Sequence, residues 1–212
     1  KTLLHGKALP VAATVFLLTF VFGAVITYGK QYAVQKGFAG SSYFFLVMSG
    51  AFILSRVVLG KLFDRGKVTL LVTIGLIATA AGMIGLGCAG SDAAFLASGL
   101  VAGFGFGTIL PTCQAKVNHI AFPHERGAAN STYFMAYDIG VGASGLVLGL
   151  LSEQFSFARL YLNCTVVILL AAVIFYWKAI PHYKHHAAAM KQAEGHMLHA
   201  ERGRSGDSPA AP

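Results

Sequence analysis

The chain has 212 residues, of which 56% are hydrophobic and only 11% are charged, and its formal net charge is +8. Soluble domains carry roughly a quarter of their residues as charged side chains, so this composition indicates a membrane protein. The lysines and arginines stand between apolar runs and form no single basic face with interleaved aromatic residues, which argues against nucleic-acid binding.

Six apolar runs are long enough to cross the roughly 30 Å hydrocarbon core of a bilayer. We place them at about residues 8–28, 41–60, 68–89, 93–115, 128–151 and 158–177. The predicted fold class is an all-α membrane protein with six transmembrane helices. The first run exceeds the apolar stretch of a signal peptide, so we interpret it as a true span.

Lysine and arginine counts predict the orientation, because cytoplasmic loops carry the excess of these residues. One side of the membrane receives only Lys30, Lys36 and Arg159, whereas the N-terminal segment, the second and fourth loops and the tail hold most of the others. Both termini are therefore predicted to be cytoplasmic.

Charges mark the end of the second span and the loop after it. Arg56 either snorkels to the interface or points inward as a partner for Asp64 or for a carboxylate on another helix. Asp64 and Arg65 follow in the loop, where charge contacts that break and re-form would suit a gate. The alternative is a solvated stop signal that only fixes topology.

Glycine and proline are frequent in the fourth span, where Gly103 and Gly107 precede Pro111. Proline removes one helical hydrogen bond and favours a kink, so the pattern indicates a helix that must change shape. The alternative is that membrane helices simply tolerate these residues.

The fifth span contains Gly140-Val-Gly142-Ala-Ser-Gly145, which has the glycine spacing of a dinucleotide-binding loop. That loop must follow a strand, and nothing before Gly140 has the pattern of one. We interpret Gly142, Gly145 and Gly149 as a smooth helix face that another helix can approach closely.

The same span carries Asp138, which lies about 18 Å beyond Arg126 by helix rise and therefore near mid-membrane. A charged carboxylate there is costly unless it is paired, hydrated or protonated, so it is expected to face the bundle or a cavity. Two roles stay open. Asp138 is either a proton carrier with alternating access to the two sides, or a polar clamp to another helix.

Other polar residues fit no defined site. Cys88, Cys113 and Cys164 stand singly in apolar segments, so they are expected to be buried thiols, and no metal site is predicted. The basic tail, 178–212, is expected to lie against anionic lipid and to be disordered at its end. Metal sensing is the alternative for its five histidines, which are His182, His185, His186, His196 and His199.

The stretch SRVVLGKLFDRGKVT resembles the loop between the second and third helices in each half of the major facilitator superfamily, whose pattern is G-x-L-x-D-R-x-G-R-K. Gly60, Leu62, Asp64 and Arg65 match it position by position, and the following glycine and lysine come one residue early. This looser form is more usual in the second half of family members. GFGFGTILP and ERGAANSTYFMAYDIGVGASGLVLG resemble the tenth and eleventh helices of bacterial drug or sugar efflux members.

The resemblance covers about residues 8–177 and implies the C-terminal six-helix half of a twelve-helix transporter. It further implies a multi-pass protein of the bacterial inner membrane, in which two halves rock about a central site and exchange a small molecule for protons. The first, second, fourth and fifth helices would line the cavity. Candidate lining residues on those helices are Thr19, Tyr43, Ser49, Ser98, Thr108, Tyr133 and Tyr137.

The residues themselves also favour a secondary transporter, because a bundle with an intramembrane carboxylate and glycine-rich spans suits one. No phosphate-binding loop is present, so neither ATP hydrolysis nor a cofactor is expected. An intramembrane hydrolase would need a base, and no histidine lies in a span, so an enzyme is not expected. The alternatives are a non-transporting six-span partner or sensor and a homodimeric half-transporter.

Overall fold

A computed structural model describes residues 6–119, 121–122 and 125–181, and it gives only the backbone of Lys7, Phe63 and Asp64. The described chain forms six long α-helices and no strand, and each helix is long and apolar enough to cross a membrane. The predicted all-α fold with six such helices is confirmed. The helices are α1 (Leu9–Gln35), α2 (Phe44–Asp64), α3 (Val68–Cys88), α4 (Asp92–His119), α5 (Arg126–Ser152) and α6 (Phe157–Ile174), which continues as a π-helical segment over Phe175–Ala179.

The helices run past several of the apolar spans. α2 continues through Asp64, so that residue ends a helix, although the sequence placed it in a loop. Only residues 65–67 separate α2 from α3. Gly66 has a φ of +68°, in the left-handed region that glycine adopts readily and that commonly ends helices. The difference arises because hydropathy marks the hydrocarbon thickness and does not mark the end of a helix.

Helix contacts follow a repeat of three helices. α1 contacts α5 and α6 most extensively, α4 contacts α2 and α3, and α3 contacts α6. Exchanging α1 with α4, α2 with α5 and α3 with α6 leaves this contact pattern unchanged. Because three crossings reverse the chain direction, the second triplet is inverted in the membrane relative to the first. Inverted repeats of this kind are typical of secondary transporters.

Small residues allow the backbones of neighbouring helices to approach closely. In α4, a Cβ added to Gly103 would collide with the carbonyl oxygen of Met48, and one added to Gly107 would lie 2.5 Å from that of Phe52. Both contacts join α4 to α2. Between α5 and α1, a Cβ at Gly140 would lie 2.6 Å from the carbonyl oxygen of Phe16.

The predicted glycine face of α5 has a different environment. A Cβ at Gly142 or at Gly145 would meet nothing within 4 Å, whereas one at Gly149 would lie 2.9 Å from the Tyr28 hydroxyl. The space beside Gly142 is open in the described bundle, whereas the carbonyl oxygen of Gly145 accepts a hydrogen bond of 2.6 Å from the Tyr28 hydroxyl of α1. Close approach of another helix to this face remains a prediction. Residues 140–145 lie inside α5, which confirms that they are not a nucleotide-binding loop.

Three further sequence interpretations concern the first span, the cysteines and the tail. α1 lies in the core, with Val15, Leu18 and Val25 fully buried, as expected of a true span. Cys113 and Cys164 are buried, but Cys88 is exposed at the end of α3, so the prediction of a buried thiol is wrong there. The tail histidines lie outside the described residues.

Candidate transport site

A cavity of about 230 Å³ lies where α2, α4 and α5 come together, and we call it the α2–α5 cavity. Three helices supply its walls. The lining residues are Phe52, Arg56, Leu110, Pro111, Gln114, Tyr133, Phe134 and Tyr137. The Tyr133 hydroxyl donates a hydrogen bond of 3.0 Å to the carbonyl oxygen of Leu110, which fixes the α5 wall against α4.

Arg56 lines this cavity, and its side chain is directed towards Phe52. Its guanidinium carbon lies 5.2 Å from the centre of the Phe52 ring, which is one helical turn towards the start of α2. Helical side chains tilt towards the N-terminus of their helix, and this tilt directs Arg56 away from Asp64. Arg56 lies about 12 Å from the end of α2 by helix rise, inside a helix that is long and apolar enough to cross a membrane.

A second cavity, also of about 230 Å³, adjoins the first and shares Arg56 and Pro111 with it. We call it the α2–α4 cavity. It brings together residues that the sequence assigned to two different roles, namely the gate residue Gly60 and the cavity residue Thr108, with Gly107 beside them. Arg65 is exposed in the short turn after α2. The side chain of Asp64 is not described, so its role in a gate remains a prediction.

Asp138 lies near the middle of α5, and its side chain is exposed. Gly142, Gly145 and Gly149 follow it at helical spacing and share its face of the helix. The face that packs on α1 carries Gly140 and Ser144 instead. Asp138 is therefore exposed on the same side of α5 as Gly142, where the described bundle leaves open space.

Some of the predicted cavity residues line a cavity in the described bundle, and others do not. Tyr133 and Tyr137 line the α2–α5 cavity, and Ser49 lines a smaller one of about 180 Å³ beside Phe22. Tyr43 is 62% exposed just before α2 and lines none of these cavities.

Thr19 and Ser98 line none of the cavities described above, so their predicted place in a cavity remains a prediction. Thr19 is fully buried between α1 and α5, and its hydroxyl donates to the carbonyl oxygen of Val15 at 2.9 Å. Ser98 is 8% exposed and donates to the carbonyl oxygen of Ala94 at 2.6 Å. A hydroxyl bonded to the preceding turn needs no water, so a serine or threonine in a span does not by itself indicate a cavity.

Lys116 follows the fourth apolar run, 93–115, and hydropathy therefore predicts it in the next loop, but α4 continues past it and the residue is only 2% exposed. Its ammonium nitrogen lies 4.4 Å from the centre of the Phe175 ring, a cation–π contact between α4 and the π-helical segment. Lys116 follows Thr112 and Cys113 on the buried face of α4. The helical spacing of Lys116 from Thr112 and Cys113 is the sequence signal that indicates its burial.

The inverted three-helix repeat and the six span-length apolar helices define a multi-pass membrane protein with the architecture of secondary transporters. The family model of the Major Facilitator Superfamily matches residues 11–205. The chain belongs to that family, whose members are transporters and not enzymes.

Curated relatives agree with this assignment. The chain is 24% identical over 157 residues to an uncharacterized MFS-type transporter of Pseudomonas aeruginosa strain LESB58, a match that covers 74% of this chain and 39% of the relative. It is 21% identical over 182 residues to the staphylopine export protein of Staphylococcus aureus strain Mu50, covering 84% of this chain and 45% of the relative. The chain thus spans less than half the length of these relatives.

Proposed function

We propose that this chain is the C-terminal six-helix half of a proton-coupled secondary transporter, which moves a small molecule across a bacterial inner membrane by alternating access. Family membership and coverage of less than half of each relative support the half-size assignment. Both termini of the half would be cytoplasmic, as the distribution of lysine and arginine predicts.

The observation that carries the proposal is that two span-length apolar helices each carry a charged residue, Arg56 on α2 and Asp138 on α5. Both side chains are exposed in the six-helix bundle, and Arg56 lines the α2–α5 cavity. Charges within a membrane span are costly against lipid, and they are found where a cavity or another protein surface receives them. The missing N-terminal half would supply that surface, and the cavity between the halves would hold the substrate.

Asp138 is the proposed proton carrier. Alternating access would expose its carboxyl first to one side of the membrane and then to the other, which would let it take up and release a proton in each cycle. Export is the proposed direction, because one of the relatives is named as an export protein.

Reconstitution of the full-length protein tests the proposal. Proteoliposomes would be given an imposed pH gradient and three labelled probes of different charge, namely ethidium, lactose and benzoate. We expect gradient-dependent flux of at least one probe with the full-length protein and none with the 212-residue chain alone, because alternating access needs two bundles that move around a shared site. Transport by the chain alone would favour the homodimeric half-transporter. Absence of flux with both proteins would favour the non-transporting partner or sensor.

A further inference from the structure

Arg56 is the only arginine or lysine that lines the α2–α5 cavity among the described residues. Its guanidinium lies over the face of Phe52, and no described carboxylate lies within ion-pairing distance of it. A planar guanidinium that lies on an aromatic ring still presents its N–H edge, which matches the two oxygens of a carboxylate.

Two carboxylates of this chain are the possible internal partners. Asp64 lies two turns further along α2, in the direction opposite to the tilt of the Arg56 side chain. Asp138 is on α5, but Tyr133, Phe134 and Tyr137 form the α5 wall of the cavity and Asp138 does not take part in it. The Arg56 guanidinium is directed towards Phe52, and Asp138 is not part of the wall that lines this cavity.

The rest of the cavity wall suits the body of a small organic molecule. Phe52, Phe134 and Tyr137 contribute ring surfaces, and Gln114 contributes an amide. The Tyr133 hydroxyl is already engaged with Leu110, so Tyr133 contributes its ring. Apolar and aromatic walls with a few polar groups are typical of small-molecule sites, and the polar groups fix the orientation of the ligand.

We propose that the α2–α5 cavity binds a small organic anion, with the carboxylate of the ligand on Arg56 and its apolar or aromatic part against Phe52, Phe134 and Tyr137. This inference rests on the proposed transport function and assigns its substrate class. Removal of the arginine would leave the ligand's carboxylate without a partner in a site of low polarity, which is costly.

Binding to the purified full-length protein tests the inference. The probes are benzoate, 1-naphthoate and indole-3-acetate, each compared with its uncharged primary amide by equilibrium dialysis. We expect at least one carboxylate to bind about tenfold or more tightly than its amide. Arg56→Gln should remove this preference, Arg56→Lys should keep part of it, and Arg159→Gln, which changes an exposed arginine near the start of α6, should leave it intact.

Equal binding of every carboxylate and its amide, including no binding of either, would overturn the anion site. So would an Arg56→Gln variant that keeps the wild-type preference. Flux of ethidium or lactose that Arg56→Gln does not alter would also overturn it while leaving the transport proposal standing. Charge-selective binding without flux of any probe would support the anion site and would overturn the transport proposal.

Discussion

The hydroxyl of Tyr133 reaches the carbonyl oxygen of Leu110 at 3.0 Å and joins α5 to α4 at the residue before Pro111. Proline has no N–H, so this part of α4 already lacks one helical hydrogen bond. α4 nevertheless continues through Pro111 to His119. The Tyr133 hydroxyl therefore stabilises the cavity wall next to Pro111, where α4 lacks a helical hydrogen bond.

Replacing Tyr133 with Phe should lower the free energy of unfolding by about 1 kcal/mol, because a buried hydrogen bond is lost while the ring remains. The measurement is the thermal unfolding midpoint of the purified full-length protein. Tyr43→Phe is the matched control, since Tyr43 is 62% exposed and its hydroxyl bonds to no described residue. Equal midpoints for the two variants would contradict a role for the bond to Leu110.

Gly107→Ala should destabilise the protein by about 1–3 kcal/mol, because the new Cβ would lie 2.5 Å from the carbonyl oxygen of Phe52 and would push α2 away. Gly142→Ala introduces the same methyl group into open space in the described bundle and should leave the six-helix chain unaffected. The measurement is the thermal unfolding midpoint of each variant, both in the full-length protein and in the 212-residue chain. If Gly142→Ala destabilises the full-length protein but not the chain alone, a helix of the other half packs on this face.

Phe175→Leu should lower the free energy of unfolding by about 1–2 kcal/mol, because the buried Lys116 would lose the ring beneath its ammonium group. Trp177→Leu serves as the control, since Trp177 is 81% exposed and two residues further along the same segment. The contact would have little importance if both variants unfolded at the wild-type temperature.

Asp64→Asn should slow transport by the full-length protein while leaving membrane insertion intact. A surface charge in general contributes little to stability, but a charge contact that closes a gate affects the rate of the conformational step. Initial flux in proteoliposomes, normalised to the amount of inserted protein, is the quantity to compare. Wild-type flux would show that Asp64 only fixes topology.

Hydropathy predicted the six helices because the bilayer imposes a minimum length of apolar residues on every crossing. It did not predict where α2 and α4 end, since both helices continue beyond the apolar runs 41–60 and 93–115. For that reason Asp64 was assigned to a loop and so was Lys116, which is buried. Helical spacing, rather than hydropathy, carries the information about these residues.

Placement of the polar residues was harder to predict. Tyr137 lines a cavity and Thr19 lies between two helices, yet both are single polar residues in apolar runs. A threonine can satisfy its hydroxyl within its own helix, so sequence cannot separate an interface from a cavity. The direction of Arg56 likewise depends on Phe52 one turn away, a contact that the charge pattern did not indicate.

The pH dependence of transport by Asp138→Asn tests the central proposal most directly. The measurement is flux of the transported probe in proteoliposomes with and without an imposed pH gradient, together with probe binding. Asparagine cannot carry a proton but has nearly the shape of aspartate, so we expect unchanged expression and binding and a flux that no longer responds to the gradient. Asp92→Asn, which changes the carboxylate that accepts hydrogen bonds from the backbone of Ala39 and Gly40, should keep the wild-type response. Loss of folded protein in Asp138→Asn would favour the polar clamp, and a wild-type response to the gradient in that variant would contradict the account.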